Sequence, residues 1–166
     1  MPKIYSGGHF ESTLIISPPG RGKTTVLRDL VRTLSDDGLR VSVADERGEI
    51  AAMRDGAPQM DVGRYTDVID NCPKDKAVMM LLRAMNPQII AMDEITATED
   101  ALALMSAEGC GVGLLATVHA NSLGDLMNKG LYRSIIKKKL FKKLVTIENV
   151  ADSRTYSVSE LEGSVC

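Results

Sequence analysis

Apolar residues fall in four short unbroken runs: TLIIS (13–17), RVSVA (40–44), QIIAM (88–92) and VGLLATV (112–118). None alternates cleanly with polar residues, the pattern of strands covered on both faces in a parallel sheet. Between them the spacing turns helical. Val26, Leu27, Leu30, Val31 and Leu34 make one apolar stripe. PKDKAVMMLLRAM (73–85) predicts a helix that opens at Pro73 and stops before Pro87. Thr96 and Glu99 have capping-box spacing ahead of DALALMSAEG, where Gly109 offers a stop. Strands alternating with helices predict an α/β fold with right-handed crossovers. Its central sheet is mostly parallel, with helices on both faces. Residues 46–72 are weakly periodic and read as a long, partly irregular insertion. KLVTIENVADSRTYSV (143–158) predicts a C-terminal β-hairpin. The expected organisation is a lead-in over 1–12, one domain over 13–160 and a tail over 161–166.

Composition adds little that is unusual. A chain of 166 residues with 44% hydrophobic and 25% charged residues suits one ordinary domain. A net charge of −2 gives no global basic field for nucleic acid. Three widely spaced cysteines, Cys72, Cys110 and Cys166, read as reduced thiols in core or loop positions. Met79, Met80 and Met105 read as core gap-fillers. The first twelve residues contain no apolar stretch of signal-peptide type, and AVMMLL is far too short to cross a bilayer.

The chemistry begins at SPPGRGKTT (17–25), where a strand is followed by a Gly-rich turn and a helix. Backbone N–H groups of such a turn form an anion nest at a positive helix end. Pro18, Pro19, Gly20, Arg21, Gly22, Lys23, Thr24 and Thr25 are the expected nucleotide-binding set. Lys23 reaches the β- and γ-phosphates, and the Thr24 hydroxyl faces Mg²⁺. Ser17 stands where the strict pattern has Gly. The second part is the apolar run ending in Asp93-Glu94. It puts two carboxylates at the sheet edge where α/β proteins bind ligands. Asp93 is the expected metal partner and Glu94 the base that activates water. The third is LLATVHA, whose polar Thr117 and His119 end a strand at the same edge. His119 is the candidate γ-phosphate contact. The fourth is VADERGE (43–49), where Asp45, Glu46 and Glu49 are candidates to surround the metal's waters. Arg47, Arg64 and Arg83 are candidates to neutralise the transferred phosphoryl group, in this subunit or a neighbour. YRSIIKKKLFKKL (132–144) reads as an amphipathic helix on the sheet, the alternative being attraction to an anionic surface.

The order SPPGRGKTT, VADERGE, LLRAMNPQIIAMDEI, LLATVHANS resembles the ATPase cores of type II and type IV secretion systems. Closer still, ISPPGRGKTTVLRDLVR, VADERGEIA, DVGRYTDVIDNCPK and MMLLRAMNPQIIAMDEI resemble the stage III sporulation protein AA family, Ser17 and the insertion included. This resemblance implies a RecA-like P-loop NTPase core. Asp45 and Glu49 fall on its acidic box, Arg83, Asn86 and Pro87 on the approach to the second acidic motif, and His119 on its His box. It also implies an ATPase using ATP and Mg²⁺, a homo-oligomer in a hexameric ring, and partners among membrane-embedded sporulation channel proteins. The location implied is cytoplasmic, peripheral to a membrane complex on the mother-cell side. Secretion ATPases often carry Gly where this chain has Asp93. Family members carry a further N-terminal region, so the chain is expected to be the C-terminal ATPase core. The rival readings are a nucleic-acid-linked P-loop ATPase, supported locally by the lysine segment, and a non-hydrolysing nucleotide-dependent assembly module.

Overall fold

The computed structural model describes residues 4–6, 8–150 and 153–161. The elements in chain order are β1 (Tyr5–Ser6), β2 (His9–Phe10), β3 (Thr13–Ser17), α1 (Lys23–Asp36), β4 (Val41–Asp45), β5 (Met53–Arg54), β6 (Ala57–Pro58) and β7 (Thr66–Asp70). Then follow α2 (Lys74–Ala84), β8 (Ile89–Met92), α3 (Thr98–Gly109), β9 (Gly113–His119), α4 (Leu123–Asn128), α5 (Gly130–Lys137), β10 (Lys143–Val150) and β11 (Ser153–Glu160). Seven strands form the main sheet in the order β11-β10-β3-β9-β8-β4-β7. Every neighbouring pair is parallel except β10 with β11. The four apolar runs are therefore inner strands, and the predicted C-terminal hairpin forms.

Alternate residues of each inner strand serve opposite faces, which explains the unbroken runs. Leu14, Ile16, Ile90, Met92, Leu114 and Ala116 point into the core beneath α2, α3, α4 and α5. Ile15, Val41, Val43, Ile89, Ala91 and Leu115 point into a second core with Leu27, Leu30, Val31 and Leu34 of α1. Burying a side chain of this size contributes about 1.5–3 kcal/mol. Both cores end at the sheet's carboxyl edge, so polar residues one step past each strand gather there.

Several local expectations are revised. The segment 46–72 holds a strand, β7, which pairs in register with β4 as the edge of the main sheet. Its residues are all half-buried, so the one-sided edge position blurred its period. Helix α3 begins at Thr98, and Asp100 rather than Glu99 supplies the cap. Its carboxylate accepts from Thr96 N at 2.9 Å and Ala97 N at 3.0 Å. The left-handed residue after that helix is Gly111 (φ +79°), not Gly109. The basic segment does not form one helix. α5 stops at Lys137, with Ile135 and Ile136 buried, and Leu140 and Leu144 are buried beyond it. Met80 is 54% exposed rather than a core filler. The lead-in is packed: Ile4 is buried, and Ser12 Oγ accepts from Leu114 N at 3.0 Å. Cys166 and the tail beyond Leu161 lie outside the described residues, as does the hairpin turn at 151–152.

Candidate functional site

The Gly-rich turn joins β3 to α1, and its backbone explains the departure at position 17. Gly20 (φ +72°) and Gly22 (φ +85°) hold the left-handed conformation that favours glycine. Ser17 does not; it is the last residue of β3, fully buried, with its hydroxyl donating to Pro18 O at 2.9 Å. A Cβ is therefore tolerated there. Pro18 and Thr24 are half-buried, while Pro19, Gly20, Arg21 and Thr25 are exposed. A cleft of about 490 Å³ opens over this turn. The turn side supplies Pro19, Gly20, Gly22, Lys23, Thr24 and Thr25, and the far wall supplies Arg47, Glu49, Asp93, Glu94, Thr117 and His119.

Lys23 is 6% exposed and folds back into the turn. Its Nζ donates to Ser17 O at 3.2 Å, to Pro18 O at 3.3 Å and to His119 Nδ1 at 2.5 Å. Burial pushes its pKa below the ordinary lysine value, with Glu94 and Asp93 pulling the other way. A charged Lys23 can only donate, so His119 Nδ1 is its acceptor and the other ring nitrogen, Nε2, faces Glu94 Oε2 at 3.4 Å. Lysine, histidine and glutamate thus form one continuous polar chain across the cleft. Sheet register makes this possible, since Ser17 at the end of β3 pairs with His119 at the end of β9.

The acidic pair is held by its neighbours. Thr117 Oγ1 donates to Asp93 Oδ1 at 3.1 Å and accepts from Glu94 N at 3.1 Å. Glu94 has φ +26°, unusual for a residue with a Cβ, and this strain is maintained by bonds on both sides. Ile95 N donates to Thr117 O at 3.0 Å, and Tyr132 of α5 donates its hydroxyl to Ile95 O at 3.0 Å. Thr24 Oγ1 donates to Asp93 Oδ2 at 3.4 Å. A hydroxyl and a carboxylate side by side at an anion nest fit Mg²⁺, which binds hard oxygens and keeps ligand phosphates and waters in its shell. Among the described residues no group of three or more His, Cys, Asp or Glu forms a metal cage.

The loop after β4 differs from its expectation. Asp45 is 1% exposed, and its carboxylate accepts from the backbone N–H groups of Glu49, Ile50 and Ala51 at 2.9–3.1 Å. Both oxygens are committed to shaping the loop, which takes Asp45 out of the metal set. Arg28 of α1 braces the same loop by donating to Ile50 O and Glu49 O. Glu46 turns to Lys74, whose buried Nζ lies 3.3 Å from Glu46 Oε2 and 3.6 Å from Asp100 Oδ2. Arg47 and Glu49 do reach the cleft wall. Arg83, in the last turn of α2 before β8, stands at the sheet's opposite edge and is exposed. Arg64, exposed and just before β7, stands at that edge too. Neither belongs to this chain's own cleft. Sequence reasoning missed Thr117 as the clamp, together with Lys74, Asp100 and Tyr132. Only the polar residue inside an apolar run, Thr117, carried a visible signal.

The sheet order, the turn after β3 and the carboxylates after β8 define a RecA-like P-loop fold. Residues 1–162 match the family described as sporulation stage III, protein AA. Stage III sporulation protein AA of Bacillus subtilis (strain 168) is 36% identical over 99% of this chain and 55% of its own length. The chain therefore belongs to the stage III sporulation protein AA family and spans about half the length of that relative. Among solved structures, the VirB11 ATPase from the Brucella suis type IV secretion system, in complex with sulphate, is similar with a TM-score of 0.62 at 19% identity. The match covers 90% of this chain and 48% of that one. The pilus retraction motor PilT with bound ADP gives a TM-score of 0.61 at 12% identity, covering 89% and 46%. At such identities the likeness shows the fold. No helix among the described residues is long and apolar enough to cross a membrane.

Proposed function

We propose that the chain hydrolyses ATP with Mg²⁺ and couples turnover to assembling or driving a secretion-like channel during bacterial sporulation. The observation that carries this reading is the convergence of Lys23, Thr24, Asp93, Glu94 and His119 on one cleft over a glycine turn. The turn's N–H groups and the α1 N-terminus receive the phosphates. Lys23 leaves His119 and the two carbonyls for the β- and γ-phosphates. Thr24 and Asp93 would hold Mg²⁺, which supplies positive charge against the phosphate oxygens. Glu94 accepts the proton of the water that attacks the γ-phosphorus as the bond to ADP breaks. His119, freed of Lys23, keeps Glu94 oriented through Nε2. Arg47 lies in the same wall as a charge for the transition state. A role for Arg83 survives only across a boundary between copies, in the ring that the secretion-ATPase likeness suggests. Membership of the stage III sporulation protein AA family further suggests a place at the cytoplasmic side of a membrane complex in the mother cell.

The test is ligand-dependent melting. ATP with Mg²⁺ at 100 times its dissociation constant stabilises the fold by about 2.7 kcal/mol. For a domain this size that raises the melting temperature by about 5–10 °C. Lys23→Ala should abolish the shift while the protein without nucleotide still melts cooperatively. An equal shift in the variant rejects the assignment.

A further inference from the structure

The hairpin on the other flank of the glycine turn brings in a group that none of the motifs names. β10 pairs with β3 from Lys143↔Thr13 to Thr146↔Ile16 and then runs on past the sheet's carboxyl edge. β11 returns beside it, with Arg154 opposite Asn149. That position lies three residues beyond the last pairing with β3, about 10 Å at the rise of a strand. From there the Arg154 guanidinium reaches the glycine turn. A Cβ at Gly22 would lie 2.8 Å from Arg154 Nη1, 3.2 Å from Cζ and 3.6 Å from Nη2. Gly22 is required by its φ of +85°, and its bare Cα lets the arginine lie directly against the turn. Among the described residues no carboxylate pairs with Arg154.

We propose that Arg154 is a phosphate-binding residue acting within its own chain, on the α- and β-phosphates of a nucleoside di- or triphosphate. The proposal rests on the nucleotide reading above and adds a specific division of labour. The backbone of a glycine turn cradles the α- and β-phosphates, whereas its lysine reaches the β and γ. Arg154 lies against that backbone at Gly22. Glu94 and His119 lie on the other flank, beyond β9 and β8, where the γ-phosphate chemistry belongs. A guanidinium suits the task because it stays charged and can offer two parallel donors to phosphate oxygens. Carried on β11, it shares no strand with the base. Arg154 therefore sets affinity, and the rate of the bound complex is set elsewhere.

The test measures ADP, ATP and AMP binding to the intact chain by calorimetry, with steady-state turnover alongside. Arg154→Gln should weaken ADP and ATP by the same factor, about tenfold or more for a lost charged hydrogen bond. AMP should weaken less, and kcat should stay within about twofold. Arg154→Lys should recover part of the ADP affinity. Unchanged ADP affinity in Arg154→Gln, or a fall in kcat with ADP affinity intact, overturns the proposal. Tighter ADP binding also overturns it, since Arg154 would then be an obstruction over the turn. If the unaltered chain bound neither ADP nor ATP, the nucleotide reading itself would fail. Normal binding by that chain together with an unaffected Arg154→Gln would remove this inference alone.

Discussion

The two flanks of β3 are built in opposite ways. On one side, β9 and β8 deliver short, partly buried side chains, each tied to the next. Thr117 clamps Asp93 and the backbone of Glu94, His119 faces Glu94, and Lys23 reaches His119. On the other side, β10 and β11 deliver one long exposed arginine from a hairpin that overhangs the sheet. Atoms that must be placed within about 0.5 Å belong on rigid elements whose rotamers are locked by packing. A charge that only attracts phosphate tolerates a longer and looser arm. The contrast separates a flank suited to chemistry from one suited to capture.

The largest expected effect breaks the chemical flank alone. Glu94→Gln keeps the shape of the turn and removes the base, so turnover should fall by roughly 10²–10⁴-fold. Nucleotide-dependent melting shifts should persist, because the capture groups are untouched. Normal hydrolysis by this variant would mean that another group takes the proton. Loss of binding along with turnover would mean that the two flanks are not separable.

Next in size is Asp45, where motif and structure disagree. Replacing it with Ala orphans three N–H donors of the 49–51 loop, those of Ile50 and Ala51 buried and that of Glu49 partly so. Each buried unsatisfied group costs about 1–3 kcal/mol, and partial relaxation should leave a total near 3 kcal/mol. Denaturant unfolding without nucleotide should show that loss, and Mg²⁺ titration of the surviving folded protein should be unchanged. An intact unfolding midpoint with weakened Mg²⁺ dependence would restore Asp45 to the metal site.

That disagreement shows where sequence legibility ended. The inner strands were readable because short unbroken apolar runs bounded by polar turns have few other uses in a chain with no membrane-length apolar stretch. Asp93 and Glu94 were readable because two carboxylates ending such a run have no place in a core. β7 was hidden, since half-buried residues such as Thr66 and Asp67 carry neither period strongly. Asp45, Asp100 and Lys74 were misread or missed for a shared reason. A buried charged residue spends its charge on whatever lies beside it, and neighbours brought together by crossovers leave no trace in spacing. Arg154 was invisible on the same ground. Its meaning comes from four residues of hairpin overhang, Ile147 to Val150, past the last strand pairing.

The smallest effect tests whether the chemical flank is strained before any ligand arrives. Lys23 is buried, and burial holds its pKa below the ordinary lysine value of 10.5 despite the attraction of Glu94 and Asp93. The unfolded chain therefore holds this proton more tightly than the folded one. The stability of the nucleotide-free protein should rise with pH through the window below 10.5 and level off above it, once both states are neutral. At neutral pH the buried charge is a cost to the nucleotide-free fold. Lys23→Met, similar in length and uncharged, should stabilise the nucleotide-free protein by about 1 kcal/mol at pH 7. The gap between variant and parent should narrow as pH approaches 10, because the parent then sheds the same charge. Urea unfolding of both proteins across that range reads the difference directly and cancels titrations common to the two. A Met variant less stable at pH 7 would mean that the bonds from Nζ to Ser17, Pro18 and His119 outweigh the cost of burial. Lys23 would then be a structural pin of the empty turn, and the chemical flank would be at rest until a nucleotide disturbs it.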